Sequence, residues 1–183
     1  PEVALKNFQT VQSQLIMFGD QAFDTFMGLQ SIVKSTGIEM AALIKIAEGF
    51  NTFDSAADKA AQLNSVLGTQ ISVLDIMNMK YDDRINYIRQ EVQFAVGGNL
   101  EDMDMYTQMY IQQAMGASSL EEAQRLLNMT NEDYEKHLNE QKEALKIQED
   151  LKKVVLDITP SMTRIINALK QSLVFLEPLI LIA

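Results

Sequence analysis

The apolar positions of this chain recur at spacings of three and four, and no strand-hairpin signal occurs anywhere along it. Phe8, Val11, Leu15, Phe18, Ala22, Phe26, Leu29 and Val33 make one stripe, which predicts a single helix of about eight turns. Gly19 and Gly28 fall inside that stripe, and each weakens a helix by roughly 1 kcal/mol, so packing has to hold it together. Thr36-Gly37 ends it. Met40, Leu43, Ile44 and Ala47 mark a short second helix.

Short helices with legible punctuation follow. Asp54 is a suitable N-cap for the Ala-rich segment that runs to Leu67, and Gly68 a suitable residue to close it. Val73 to Met77 reads as a brief apolar helix. Tyr81, Ile85, Ile88, Val92 and Val96 mark another, closed by Gly97-Gly98. Leu100, Met103, Tyr110 and Ala114 mark the next, closed by Gly116. Ser119-Leu120-Glu121-Glu122 is a capping-box pattern opening a helix with Ala123, Leu126 and Leu127 on its buried side.

After Met129 the character changes. Residues 131–158 lack Gly and Pro and are dense in Glu, Lys and Gln. Tyr134, Leu138, Gln141, Leu145, Gln148, Leu151, Val155 and Ile158 form a narrow seam, while Glu132/Lys136 and Glu149/Lys153 are surface pairs one turn apart. Thr159-Pro160 starts a new helix. Its apolar character grows through Ile165, Ile166, Leu169, Leu173, Val174, Phe175 and Leu176 as far as Pro178. The expected fold is all-α: a compact multi-helix unit at 1–128, then a long amphipathic helix and an apolar terminal helix at 129–183. The candidate face for oligomers or partners is Tyr134, Leu138, Leu145, Leu151, Val155, Ile158, Ile165, Leu169 and Leu173.

Composition and charge narrow the function. The 183 residues are 47% apolar and 22% charged, ordinary for a globular protein. Net charge is −10, spread along the chain: residues 1–98 carry 11 acids against 7 bases, and 99–183 carry 14 against 8. Neither part can neutralise a row of phosphates, so no direct nucleic-acid binding is expected. There is no cysteine, which excludes disulfides and thiolate metal sites. Pro1 to Lys6 has no signal-peptide pattern. The lack of an initiator Met and the apolar ending Leu179-Ile180-Leu181-Ile182-Ala183 read as cut ends of something longer.

Candidate chemistry is sparse. His137 is the single histidine, it sits among Glu, Lys and Asn, and no Glu precedes it by three, so a two-histidine metal site and the di-iron pattern are both ruled out. Ser31-Ile32-Val33-Lys34 has the bare S-x-x-K spacing without the S-D-N and K-T-G elements that give it meaning. Lys34 is more simply a helix C-terminal cation. Asp102 and Asp104 lack the 12-residue calcium pattern and read as helix N-terminal acids. Gly97-Gly98 has neither nucleotide-binding spacing. Eleven Met residues are present. Core packing is the simpler account, although Met77, Met79, Met103, Met105 and Met109 crowd a turn-rich region suited to an adaptable interface. No catalytic residue, metal site or cofactor emerges, and the reading is non-enzymatic.

The middle of the chain resembles a known family. Ala47-Glu-Gly-Phe-Asn-Thr-Phe-Asp-Ser-Ala-Ala-Asp-Lys-Ala-Ala-Gln-Leu-Asn-Ser-Val-Leu-Gly68 is similar to a segment of the tail length tape measure proteins of contractile-tailed bacteriophages. So are Asp82-Asp83-Arg84-Ile85 through Val92, Met109-Tyr-Ile-Gln-Gln-Ala-Met-Gly116, and Glu121-Glu-Ala-Gln-Arg-Leu-Leu-Asn-Met129. The likeness covers about residues 30–130 and is one of small, apolar and cap residues.

The resemblance implies a structural virion protein packed in the tail tube lumen. It would be made in the host cytoplasm during assembly, set tube length, dock at the baseplate hub and leave ahead of the genome on infection. Implied partners are the chain itself, as a trimer or hexamer, the tail tube and baseplate hub proteins, and the host membrane after ejection. The short punctuated helices suit a compact anchoring segment. The alternatives are a membrane-active helical module (pore-forming or injected) or a cytosolic helical adaptor. Acidic faces that anionic lipids repel, and an apolar run from Ser172 to Ala183 too short to span a bilayer, weigh against the first.

Overall fold

The computed structural model of the chain describes residues 8, 11–97, 99–144 and 146. Every regular element among them is helical, as the periodicity predicts. The chain divides into two compact units, Pro1–Asn139 and Glu140–Ala183. Of the second, residues 140–144 and 146 are described, and they are helical.

The first unit contains α1 (Ala22–Thr36), α2 (Met40–Glu48), α3 (Phe53–Leu67), α4 (Val73–Asn78), α5 (Tyr81–Val96), α6 (Met105–Met115) and α7 (Leu120–Asn128). Residues 11–15 and 131–139 are helical too. Short 3-10 turns occupy Ile16–Gln21 and Leu100–Asp102.

The single long helix expected over Phe8 to Val33 is broken. Gly19 adopts φ 54°, ψ −125°, a conformation only glycine reaches without steric cost. Ile16–Gln21 forms the 3-10 turn around it, and α1 starts afresh at Ala22. The apolar stripe survives the break. Val11, Leu15, Phe26 and Leu29 are buried, and Phe8 meets Phe26 edge-to-face at 5.1 Å. A helical period therefore marks which side faces the core, not whether the backbone is continuous.

Two other boundaries move. Thr52, not Asp54, caps α3 by accepting from the Ser55 amide, and Asp54 sits in the first turn, where its charge suits the helix dipole. The helix expected from Leu100 begins only at Met105, because the Asp104 carboxylate accepts from the Tyr106 and Thr107 amides (3.0 and 3.1 Å). Elsewhere the punctuation is as expected. Gly37, Gly68, Gly97 and Gly116 close α1, α3, α5 and α6 in the left-handed region. Ser119 Oγ accepts from the Glu122 amide at 3.1 Å, and Ala123, Leu126 and Leu127 are buried.

The core is built around α5. Its Ile85, Ile88 and Val92 are almost fully buried, together with Leu29 and Ile32 of α1, Leu43 and Ala47 of α2, Ala60 and Leu63 of α3, and Ile76 of α4. The helix packs on α1, α2, α3, α4 and α7.

Candidate functional site

Beside its apolar stripe, α5 carries a second one. Asp82, Asn86, Arg89 and Gln93 follow at four, three and four residues, so they share one side of the helix. The first three are buried. Buried polar groups cost free energy unless they are bonded, so their partners determine what the stripe does.

Asp82 lies against α1. Its carboxylate fills the space left by the missing side chain of Gly28, and it accepts a hydrogen bond from Tyr134 Oη at 3.2 Å. Burial, then the neighbouring Asp83 charge, push its pKa up to about 6, while Lys80 Nζ at 3.9 Å and the Tyr134 hydroxyl draw it back. Burial and the Asp82 charge raise the Tyr134 phenol in turn.

Two arginines of α5 are fully buried with no carboxylate partner among their hydrogen bonds. Arg84 Nε donates to the Ile76 carbonyl (2.9 Å). Its Nη1 donates to the Ala47 carbonyl and to Asn51 Oδ1 (both 2.7 Å), and its Nη2 to the Met77 and Met79 carbonyls (3.1 and 3.3 Å). These carbonyls belong to the last turns of α2 and α4 and the residue capping α4, where a helix leaves acceptors unbonded and its dipole favours a cation. One guanidinium thus caps two helices, lying 5.3 Å over the Tyr81 ring. Arg89 Nη1 donates to the Met129 carbonyl at 2.7 Å, at the end of α7, and Gln93 Nε2 to the Leu127 carbonyl at 3.0 Å. Lys59 of α3 does the same for α6 through the Gln113 carbonyl at 3.2 Å. Burial lowers the pKa of all three cations.

Arg89 Nη2 also reaches Asn131 Oδ1, as does Gln90 Nε2. That bond holds the start of the 131–139 helix, whose own cap is reciprocal: the Asp133 amide donates to Thr130 Oγ1, and the Thr130 hydroxyl to the Asp133 carboxylate. Between this helix and α5 lies a cleft of about 530 Å³ whose walls include Asp83, Asn86, Tyr87, Asn131, Tyr134 and Glu135.

The residues singled out by spacing fall as follows. Tyr134 is buried on Asp82, and Leu138 is half-buried against the core of the first unit. Leu145, Leu151, Val155, Ile158, Ile165, Leu169 and Leu173 lie outside the described residues, as does the proposed apolar terminal helix. Ser31 is fully buried and Lys34 exposed on the last turn of α1. Met77 and Met103 pack against the core, whereas Met105 and Met109 are exposed beside Tyr106. Among the described residues no three His, Asp or Glu side chains are placed to hold a metal ion, and no helix is long and apolar enough to cross a membrane.

The polar stripe was not anticipated from sequence. Its signal was nonetheless there: four polar residues at helical spacing, running alongside an equally regular apolar row. Comparison with protein-family models, with curated proteins and with solved structures returned no match.

Proposed function

We propose that this chain is a structural segment of a phage tail tape measure protein. It forms a compact part of that longer polypeptide inside the tail tube or at its baseplate hub end. The observation that carries the reading is the resemblance over about residues 30–130. Its force comes from where the resembling residues sit. Asp82 and Arg84 are buried and bonded, Gly68 and Gly116 end helices, and Leu126 and Leu127 belong to the core. A likeness at such positions concerns the residues on which the fold depends.

The net charge of −10 supports the same reading, because an acidic wall does not retain DNA that must later pass it. In this proposal the parent protein sets tube length and leaves on infection. Copies associate as a trimer or hexamer through the apolar positions from Leu145 onward and through Ile165, Leu169 and Leu173.

The test is an immunoblot, with antibody to this segment, across a density gradient of lysate from the source culture. A signal in virion or tail fractions, on a polypeptide much larger than 20.6 kDa, is the expected result. A signal confined to soluble or membrane fractions, at the size of this chain, overturns the proposal.

A further inference from the structure

The bend between residues 11–15 and α1 turns on one residue. Within Ile16–Gln21, Gly19 alone has non-helical φ and ψ. Leu15, Gln21 and Ala22, on either side of it, are right-handed helical. Helix α1 also lacks the mark of a true beginning. Thr52, Ser72, Asp104 and Ser119 open their helices from extended backbone with a side-chain cap. Gln21 is already helical and makes no capping bond.

The apolar stripe runs through the bend in phase. At about 100° per residue, Phe8, Val11, Leu15, Phe18, Ala22, Phe26, Leu29 and Val33 fall within about 80° of one another, counted straight through Gly19. Two helices that met only across a turn would need no common phase.

A few contacts hold the fold-back shut. Phe8 meets Phe26 at 5.1 Å, although a continuous helix would set these positions about 27 Å apart. Phe18 packs edge-to-face on Tyr81 at 4.9 Å, the Tyr81 hydroxyl donates to Met17 Sδ at 3.5 Å, and Val11 and Leu15 are buried. Ile16 and Met17, at the bend itself, are 72% and 64% exposed, so the turn gains little from the core.

We propose that Gly19 is a one-residue hinge. Rotation at its φ and ψ converts the fold-back into a continuous helix over residues 11–36, in which Val11, Leu15 and Phe18 extend the apolar face of α1 and Tyr81 and Phe26 are uncovered. The isolated chain rests mainly in the bent form, because that form buries Val11 and Leu15. The hinge needs nothing outside the chain's own backbone, whichever assembly the chain belongs to.

The test uses the full chain, whose lack of cysteine allows spin labels at Gln12→Cys and Lys34→Cys, both exposed. In a continuous helix these positions are about 33 Å apart, and the fold-back brings them closer. Gly19→Ala is strained at φ 54° and is the better helix former, so it should move the electron-spin distance distribution toward about 33 Å. Leu15→Gln weakens the latch without touching the hinge and should move it the same way. The second variant decides even where the first fails to fold. In the parent chain, ¹⁵N relaxation dispersion at Ile16 to Phe23 should report a minor state with the chemical shifts of the straightened variant. A fold-back retained in both variants, a broad distribution in Leu15→Gln without the long distance, or no exchange toward those shifts in the parent would each overturn the proposal.

Discussion

Gly28 and Asp82 meet so closely that a methyl group on Gly28 would lie 1.9 Å from Asp82 Oδ2 and 2.4 Å from its Cγ. Turning the carboxylate does not relieve this, because Asp82 Cβ itself would be only 2.6 Å away. Helix α1 can approach α5 only because residue 28 has no side chain. Gly28→Ala should therefore destabilise the unit by about 1–3 kcal/mol, although alanine is the better helix former. In a double-mutant cycle by urea denaturation, Asp82→Ala should recover part of that loss. Additive costs would show that the two residues do not oppose each other.

Asp82 gives the stability an unusual pH dependence. Its folded pKa, about 6, lies above the unfolded value near 3.8, so the folded state holds the proton more tightly. The contribution of this group is then most favourable below the unfolded value, is lost as pH rises from there through about 6, and stays lost above. The span amounts to about 3 kcal/mol as an order of magnitude. Asp104 and Asp133 are shifted the other way, chiefly by hydrogen bonds from the Thr107 and Thr130 side chains. Their contributions fade only at or below the ordinary carboxylate range, outside this window. Denaturation midpoints at pH 5 and 7.5 should differ less for Asp82→Asn than for the parent chain.

Tyr134→Phe removes the hydroxyl that bonds the Asp82 carboxylate. The variant should lose roughly 1.5–3 kcal/mol at pH 7.5, the worth of a hydrogen bond to a charged group, and less at pH 5, where Asp82 carries a proton. A carboxyl-carbon NMR titration should place Asp82 higher than in the parent. An unchanged titration would remove the hydroxyl from the account of this carboxylate.

Arg84→Met should cost at least about 3 kcal/mol, since it orphans buried carbonyls at the ends of two helices. Arg84→Lys keeps the charge but offers a point ammonium in place of a planar fork, so it should restore only part of the loss. Thermal melts of the three chains followed by circular dichroism check the order: parent, then Lys, then Met.

How far the fold could be read in advance depended on the range of the forces involved. Ser119 as a cap, Gly68 and Gly116 as helix ends, and Ile85, Ile88 and Val92 as core all follow from neighbours within a turn or two. Gly28 looked like a weakness because its justification, Asp82, is 54 positions away. The choice of Thr52 over Asp54 turned on which of two competent caps took the extended backbone. Arg84 and Arg89 stood among polar residues on an ordinary helix, and nothing local shows that their bonds go to carbonyls of α2, α4 and α7. The candidate site was the least legible part, being made wholly of such long-range pairings.

The helices that α5 caps lie on both sides of it in the chain. Helices α2 and α4 leave the ribosome before Arg84 does, and α7 after Arg89. The stretch up to Lys80 therefore emerges with two helix ends unprotected, and α5 in turn waits for Met129 and Asn131 before its second arginine is satisfied. Synthesis and folding are out of step across this segment. The bonds that complete the polar stripe, from Arg89 to Met129 and Asn131 and from Tyr134 to Asp82, can form only after the last third of the unit has been made.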